Sequence, residues 1–337
     1  MSRLRLVFCG TPSFAVPTLK HLLAQKHFEI VGVITQPDRP HGRGLRVTAS
    51  PVKETALAAR VPVHQPEKIR SPESEELLRR HSPDCIVIIA YGQIIPARLL
   101  TIPKFGWINL HASLLPKYRG AAPIQWAIAN GETQTGLTTM RIDAGMDTGD
   151  ILLQEPMNIA PDGTTASLAT RLAEAGAPLM AETLRGVEAG TLPAKHQDHA
   201  QATYAPLLKK EDGKIDWTRS ADEIYNRMRA FTPWPGAFTT FRGNNYHIAA
   251  APVSNKVSAA PSLAPGTLRI VKDFWESPGK PQKVAALLVS CGGATELRVL
   301  SVKREGGKSA DALEFAYGVQ LTEGERFGTG DLRGAKH

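Results

Sequence analysis

At 337 residues, 42% apolar and 21% charged, the chain exceeds one domain of about 100 to 200 residues and reads as a globular protein of two domains. No run approaches the roughly 20 apolar residues of a membrane span, and the apolar stretch starting at Leu4 leaves no space for a secretory leader, so a cytoplasmic protein is expected. The formal net charge of +8 is uneven, with +6 over residues 1 to 53 (8 basic, 2 acidic), −3 over 54 to 204 (13 and 16) and +5 over 205 to 337 (19 and 14). An ordinary solvated surface and a polyanionic partner both fit that pattern.

Leu4 to Cys9 and Glu29 to Thr35 are apolar, β-branched runs separated by a helical pattern from Ser13 to Gln25, which makes a strand–helix–strand unit. Ser50 before Pro51 and Ser71 before Pro72 each place a capping hydroxyl ahead of a proline suited to a first helical turn. Cys85 to Tyr91 is unbroken apolar sequence, as in a strand covered on both faces. Further strands are expected at Gly106 to Ala112, Gly136 to Ile142 and Asp150 to Ile159, a helix at Pro123 to Asn130 stopped by Gly131, and a long amphipathic helix at Thr165 to Glu188. The order implies an α/β fold with a doubly wound, mostly parallel sheet.

From Gly190 to Leu208 the periodicity dissolves, so a first domain over 1–189 and a linker over 190–208 are expected. Ser220 and Glu223 form a capping box for a helix reaching about Phe231, and short strand-like runs between Gly, Pro and Asn then suggest a small β-barrel within 209–318. Residues 319–337 are Gly-rich and polar and are expected to be loosely ordered. Cys9, Cys85 and Cys291 are odd in number and far apart, which suggests neither a disulfide framework nor a zinc site.

The strand-to-helix turn after Gly10 reads TPSFAVP and lacks the glycine pattern that seats a dinucleotide pyrophosphate. The informative stretch is WINLHASLLPKYRGAAP from Trp107, where a strand ends in polar residues and opens into a loop. Asn109 and His111 are two apart, so on a strand both point to one side. Each alone fits a satisfied surface residue. A second polar loop, IDAGMDTGD, adds Asp143, Asp147 and Asp150 among glycines, and a carboxylate from it could orient the imidazole. With no His or Cys at ligand spacing, no metal is expected.

Six stretches, FCGTPSFAVPTL, QPDRPHGRG, AYGQIIP, NLHASLLPKYRGAAPIQ, DAGMDTGDIL and RAFTPWPGAF, together with IDW, make the chain resemble the family of 10-formyltetrahydrofolate-dependent formyltransferases and hydrolases over about residues 4 to 315. The likeness points to the branch that acts on methionyl initiator tRNA. It implies a formyltransferase fold followed by an OB-like barrel that helps hold tRNA. It implies transfer of the formyl group of 10-formyltetrahydrofolate, as cosubstrate, to the α-amino group of methionyl initiator tRNA for translation initiation, by a monomer without membrane or metal. The family's catalytic trio falls on Asn109, His111 and Asp147, and its folate contacts on Ser113, Leu114, Leu115 and Pro116, with Ile88, Tyr91 and Gly92 around the pterin. Its tRNA-approaching loop corresponds to Pro37 to Ser50, which carries Arg43 and Arg46, although Leu45 and Arg46 stand where members often carry lysines.

In this reading Asn109 and His111 stabilise charge on the formyl oxygen, while Asp147 orients His111 and helps to relay the proton lost by the amine. Rival readings are a related formyl-folate enzyme that formylates a sugar nucleotide or hydrolyses formyl-folate, and a nonenzymatic nucleic-acid-binding protein. The basic loop and basic second domain favour a tRNA acceptor over a small one.

Overall fold

A computed structural model describes residues 3–41, 46–253, 263–277 and 280–328, which divide into two compact units. The first comprises 1–124, 133–161 and 166–207, and the second 125–132, 162–165 and 208–337.

The first unit is built on β1 (Leu4–Gly10), α1 (Val16–Leu23), β2 (Phe28–Ile34), the short β3 (Arg39–His41) and β4 (Arg46–Thr48), α2 (Pro51–Ala58), β5 (Val63–His64) and α3 (Pro72–His81). It continues through β6 (Cys85–Ile89), α4 (Ala97–Leu100), β7 (Trp107–His111), β8 (Gln134–Arg141), β9 (Ile151–Asn158) and α6 (Thr165–Ala189), while α5 (Pro123–Ala129), between β7 and β8 in the chain, belongs to the second unit from Gln125 onward. Local chemistry sets the helix starts. Ser50 Oγ accepts from Lys53 N at 3.1 Å and Ser71 Oγ from Ser74 N at 3.3 Å, each with proline in the first turn. Helix α3 opens on Glu73 and Glu75 and closes on Arg79, Arg80 and His81, matching the helix dipole at both ends.

The seven-stranded sheet runs β5-β2-β1-β6-β7-β8-β9. It is parallel from β5 to β7 and antiparallel from there to β9. Every residue of β6 is buried, as its apolar sequence requires. Strand order reverses at β1, which has β2 on one side and β6 on the other, so the crevice expected of such sheets lies beyond the ends of β1, β6 and β7. There Tyr91 C=O accepts from Thr11 Oγ1 at 3.3 Å and Gln36 Nε2 at 3.0 Å, fastening three strand ends together.

Of the segment expected as a linker, residues 190–207 fall in the first unit and Leu208 in the second. Lys195 and Ile151 exchange both backbone hydrogen bonds at 2.9 Å, and Gln197 is buried. Unmet backbone groups of β9 draw this irregular segment against it.

The second unit contains α7 (Ala221–Ala230), β10 (Phe238–Phe241), β11 (Asn244–Pro252), β12 (Leu268–Ser277), β13 (Lys280–Cys291), β14 (Thr295–Arg304), β15 (Ser309–Asp311) and α8 (Ala312–Gly318). The Ser220–Glu223 capping box is present. Its strands pair antiparallel in the order β10-β11-β14-β13-β12, with β15 on β14, the sheet of an OB-like barrel. Phe241, Tyr246 and Phe315 meet edge to face in its core, and Trp217 stacks on Phe327 with ring centroids 5.7 Å apart. Phe327 lies beyond the residue where loose order was expected to begin. It is 2% exposed, and burying an aromatic ring outweighs the polar composition around it. The three cysteines are free and buried, and burial pushes their thiols up, to about 12 for Cys85 and Cys291.

At the edge of the first sheet, the Nε2 atoms of His64 and His81 lie 2.9 Å apart. Burial holds both imidazoles below the ordinary value, helped by the charges of His81 and Arg80 at His64 and of Arg5 and Arg80 at His81. The unfolded chain therefore takes up these protons first. The contribution is intact above about pH 6.5 and is lost as the medium is acidified. Urea midpoints of the wild-type protein should fall between about pH 7.5 and pH 5.5, and less so in His81→Gln. Equal falls in the two proteins would contradict this.

Candidate active site

Strand β7 carries Asn109 and His111 to the carboxyl edge of the sheet on one face. Asn109 sits between Ile88 of β6 and Met140 of β8, and His111 opposite Thr138. Beyond His111 the chain folds back on itself. Ser113 Oγ donates to Lys117 C=O at 2.6 Å, Thr138 Oγ1 donates to Ser113 C=O at 2.7 Å and accepts from Leu115 N at 3.1 Å, and Gln154 Nε2 donates to Leu115 C=O at 2.9 Å. The return brings Tyr118 C=O to 2.9 Å from His111 Nε2. A carbonyl only accepts, so Nε2 bears a hydrogen. His111 is 6% exposed, and its Nδ1 faces Asp147 Oδ2 at 3.7 Å, longer than a direct hydrogen bond.

Asp147 has φ +52°, a left-handed conformation that costs a side-chain-bearing residue about 1 to 2 kcal/mol. Its carboxylate accepts from Gly120 N at 2.8 Å. Gly120 has φ +118°, and a Cβ there would lie 2.7 Å from Ala205 C=O, so only glycine can make this approach. The other two aspartates of the loop are engaged elsewhere: Asp143 Oδ1 accepts from Gly145 N and Thr148 Oγ1, and Asp150 Oδ1 meets His196 Nδ1 at 2.5 Å. Asn109 is half-buried, and among the described residues its amide has no hydrogen-bond partner, which leaves its NH₂ free to donate outward. The site thus combines a free amide donor, an imidazole presenting Nδ1 and an anchored carboxylate, the parts of an acyl-transfer centre.

The expected folate contacts divide. Leu114 and Pro116 keep accessible side-chain surface, whereas Ser113 and Leu115 are buried, Leu115 against Met140 and Ile151. Ile88 adjoins Asn109 in register, and Gly92 is exposed with φ +89°. The ring of Tyr91 is placed in the core with Val7, Cys9 and Ile34, and burial pushes its hydroxyl up. Arg43 lies outside the described residues, and for Arg46 the structure gives its backbone pairing with His41. At the foot of that hairpin Asp38 pairs with Lys53 and accepts from Gln65 Nε2 at 2.7 Å, which holds its carboxyl below the ordinary range. Sequence reasoning passed over the Tyr118 carbonyl and the Gly120 amide, backbone groups whose only trace is the Arg-Gly step in KYRGAAP. It also passed over Gln197.

The profile of the family described as Formyl transferase matches residues 4–184, and that of Formyl transferase, C-terminal domain, matches 207–320. The methionyl-tRNA formyltransferase of Solibacter usitatus (strain Ellin6076) is 52% identical over 330 residues, covering 98% of this chain and all of that protein. That of Geobacter sulfurreducens (strain ATCC 51573 / DSM 12127 / PCA) is 44% identical over 328 residues, covering 97% and 98%. The chain belongs to the methionyl-tRNA formyltransferase family. The fold of this formyltransferase is shared with the Helicobacter canadensis N-formyltransferase solved with folinic acid and dTDP-3-aminofucose, at a TM-score of 0.59 and 18% identity over 88% of this chain and 99% of the other. HypX from Aquifex aeolicus, solved with tetrahydrofolic acid, aligns at a TM-score of 0.56 and 16% identity over 94% of this chain and 47% of the other. Among the described residues no helix is long and apolar enough to cross a membrane.

Because the Gly120 amide anchors Asp147, Gly120→Ala should lower formyl-transfer turnover by about 10²-fold through displacement of the carboxylate. Single-turnover transfer measured beside thermal unfolding checks this. Wild-type turnover in a folded variant would contradict it.

Proposed function

We propose that this formyltransferase moves the formyl group of 10-formyltetrahydrofolate to the α-amino group of methionyl initiator tRNA, with Asn109, His111 and Asp147 as its catalytic residues. What supports the chemistry is that Asn109 and His111 share one face of β7, that the Asp147 carboxylate lies 3.7 Å from His111 Nδ1, and that among the described residues the Asn109 amide has no hydrogen-bond partner. The near-complete alignment with methionyl-tRNA formyltransferases supports the acceptor.

The residues divide the work. As the neutral amine bonds to the formyl carbon, Asn109 Nδ2 donates to the oxygen on which charge develops, a contribution of about 3 to 4 kcal/mol for a well-aimed donor. His111, fixed through Nε2, offers Nδ1 for proton exchange and, when that nitrogen is protonated, a second donor to the same oxygen. Asp147 stabilises the imidazolium and takes up the proton lost by the amine, directly or through water. Asp147 passes that proton to His111 Nδ1, and the C–N10 bond breaks as N10 takes it from there, which returns both residues to their starting state. One amine N–H becomes one amide C–N bond, and tetrahydrofolate leaves with N10–H, so no redox partner or metal is required for balance.

The cosubstrate would lie along Leu114, Pro116 and Gly92, whose accessible surfaces are apolar or open backbone and suit a flat pterin, whereas Ile88, 7% exposed, offers it little surface. The tRNA would be approached by the segment from Pro37 to Ser50, with Arg43 and Arg46 towards its phosphates, and held by the basic second unit. Neutralised phosphates release counterions, so affinity for tRNA should fall with salt at a log–log slope of roughly 0.7 to 0.9 per contact.

The test offers the purified protein 10-formyltetrahydrofolate with methionyl initiator tRNA, an amino-sugar nucleotide, or water alone. Transfer to tRNA should dominate. Alanine at Asn109, His111 or Asp147 should each lower turnover by about 10²- to 10⁴-fold, non-additively, with tRNA affinity little changed. Near wild-type turnover in His111→Ala would sink the trio, and faster transfer to the sugar nucleotide would sink the acceptor.

A further inference from the structure

Gln197 joins Arg119 to the backbone of the Asp147 loop. Gln197 is 6% exposed and Arg119 2%. Gln197 Oε1 accepts from Arg119 Nε at 3.1 Å and Nη2 at 2.7 Å, while its Nε2 donates to Asp147 C=O at 2.9 Å and Gly149 C=O at 2.7 Å. The carboxamide has two acceptor sites and two donor hydrogens, and all four are used. Its orientation is forced. A guanidinium only donates, so the oxygen must face Arg119 and the NH₂ must face the aspartate loop, since the flipped amide would oppose donor to donor and acceptor to acceptor.

Both residues are themselves fixed. Arg119 N donates to Thr203 C=O at 2.8 Å and its carbonyl accepts from Ala205 N at 2.7 Å, and its Nη2 lies 3.1 Å from Nδ1 of the exposed His199. Lys195, two residues before Gln197, is locked to Ile151 through both backbone groups. Among the described residues Arg119 contacts no carboxylate, so a buried cation is satisfied largely by one neutral amide, which would be a poor arrangement if stability were its only use. Its neighbour Gly120 supplies the hydrogen bond to the Asp147 carboxylate. Consecutive residues therefore hold Asp147 at both ends, the side chain through the Gly120 amide and the main chain through Arg119 and Gln197.

We propose that Gln197, set by Arg119, is a positioning residue that keeps Asp147 in its left-handed conformation and so keeps its carboxylate aimed at His111 Nδ1. The proposal rests on the assignment of Asp147 to the reaction. Without the two donations from Gln197, the loop relaxes toward an ordinary backbone conformation, and the carboxylate swings away while the folate and tRNA surfaces stay in place.

The test is Gln197→Glu, which retains an acceptor for Arg119 but turns a second oxygen on two carbonyls, with Gln197→Leu as the harsher companion. Thermal midpoint, kcat and both KM values are read for each, in wild-type and Asp147→Asn backgrounds. Gln197→Glu should fold and lose about 10²-fold in kcat through displacement of one group, with either KM changed by less than about twofold. Over Asp147→Asn the same change should cost less than about twofold, because the group it positions is already gone. Unchanged kcat, a loss confined to KM, or the full loss repeated over Asp147→Asn would each overturn the proposal and leave Gln197 a structural residue. Failure of the underlying reading is separately visible as a wild-type protein that does not formylate methionyl initiator tRNA.

Discussion

The carboxylate of Asp147 accepting the Gly120 amide at 2.8 Å is the contact on which the arrangement of the site depends. It ties the loop after β8 to the loop after β7, and the second of these loops also carries the Tyr118 carbonyl that fixes His111 Nε2. If the two loops separated, the imidazole would keep its place on the strand and lose the anion facing Nδ1. Neither loop would hold this shape alone. Asp147 and Tyr118 both adopt positive φ, at +52° and +60°, and such conformations persist only where surrounding bonds over-determine them.

The sheet fixes one side of that junction, since the loop after β8 leaves beside Ile108 at the amino end of β7 and must run back to meet the loop after β7. Strand β7 is parallel to β6 on one side and antiparallel to β8 on the other, so the carboxyl end of β7 and the amino end of β8 share one edge. The parallel side brings Ile88 beside Asn109. The antiparallel side brings Thr138 beside His111, where its hydroxyl anchors the returning loop at Ser113 and Leu115. Rigid strands thus fix the Asn109 and His111 side chains, and loops supply the Asp147 carboxylate and the accessible surfaces of Leu114, Pro116 and Gly92.

Much of this was legible from local sequence. The strand at CIVII, the Ser-Pro helix starts and the Ser220–Glu223 box depend on neighbours a few residues away, and each formed where the pattern placed it. Asn109 and His111 share a face because strand alternation requires it, while the roles assigned to them and to Asp147 came from family resemblance. What escaped was non-local. Gln197 sits in a stretch without periodicity, and its hydrogen bonds run to partners 78 and 50 residues away. Phe327 lies in a polar, Gly-rich run, yet it is captured by Trp217 and Phe241. The ring of Tyr91 continues the apolar pattern of β6 into the core, so a motif match at that position carried no information about which way the side chain turns.

The folded chain, before any substrate binds, presents His111 with Nε2 committed to the Tyr118 carbonyl and Nδ1 open towards Asp147. The most direct measurement is nitrogen NMR of the protein labelled at its histidine rings, with His111 assigned by its loss in His111→Gln. The neutral imidazole should carry its hydrogen on Nε2, with Nδ1 as the unprotonated nitrogen. A neutral His111 protonated on Nδ1, or one exchanging freely between the two forms, would contradict the account.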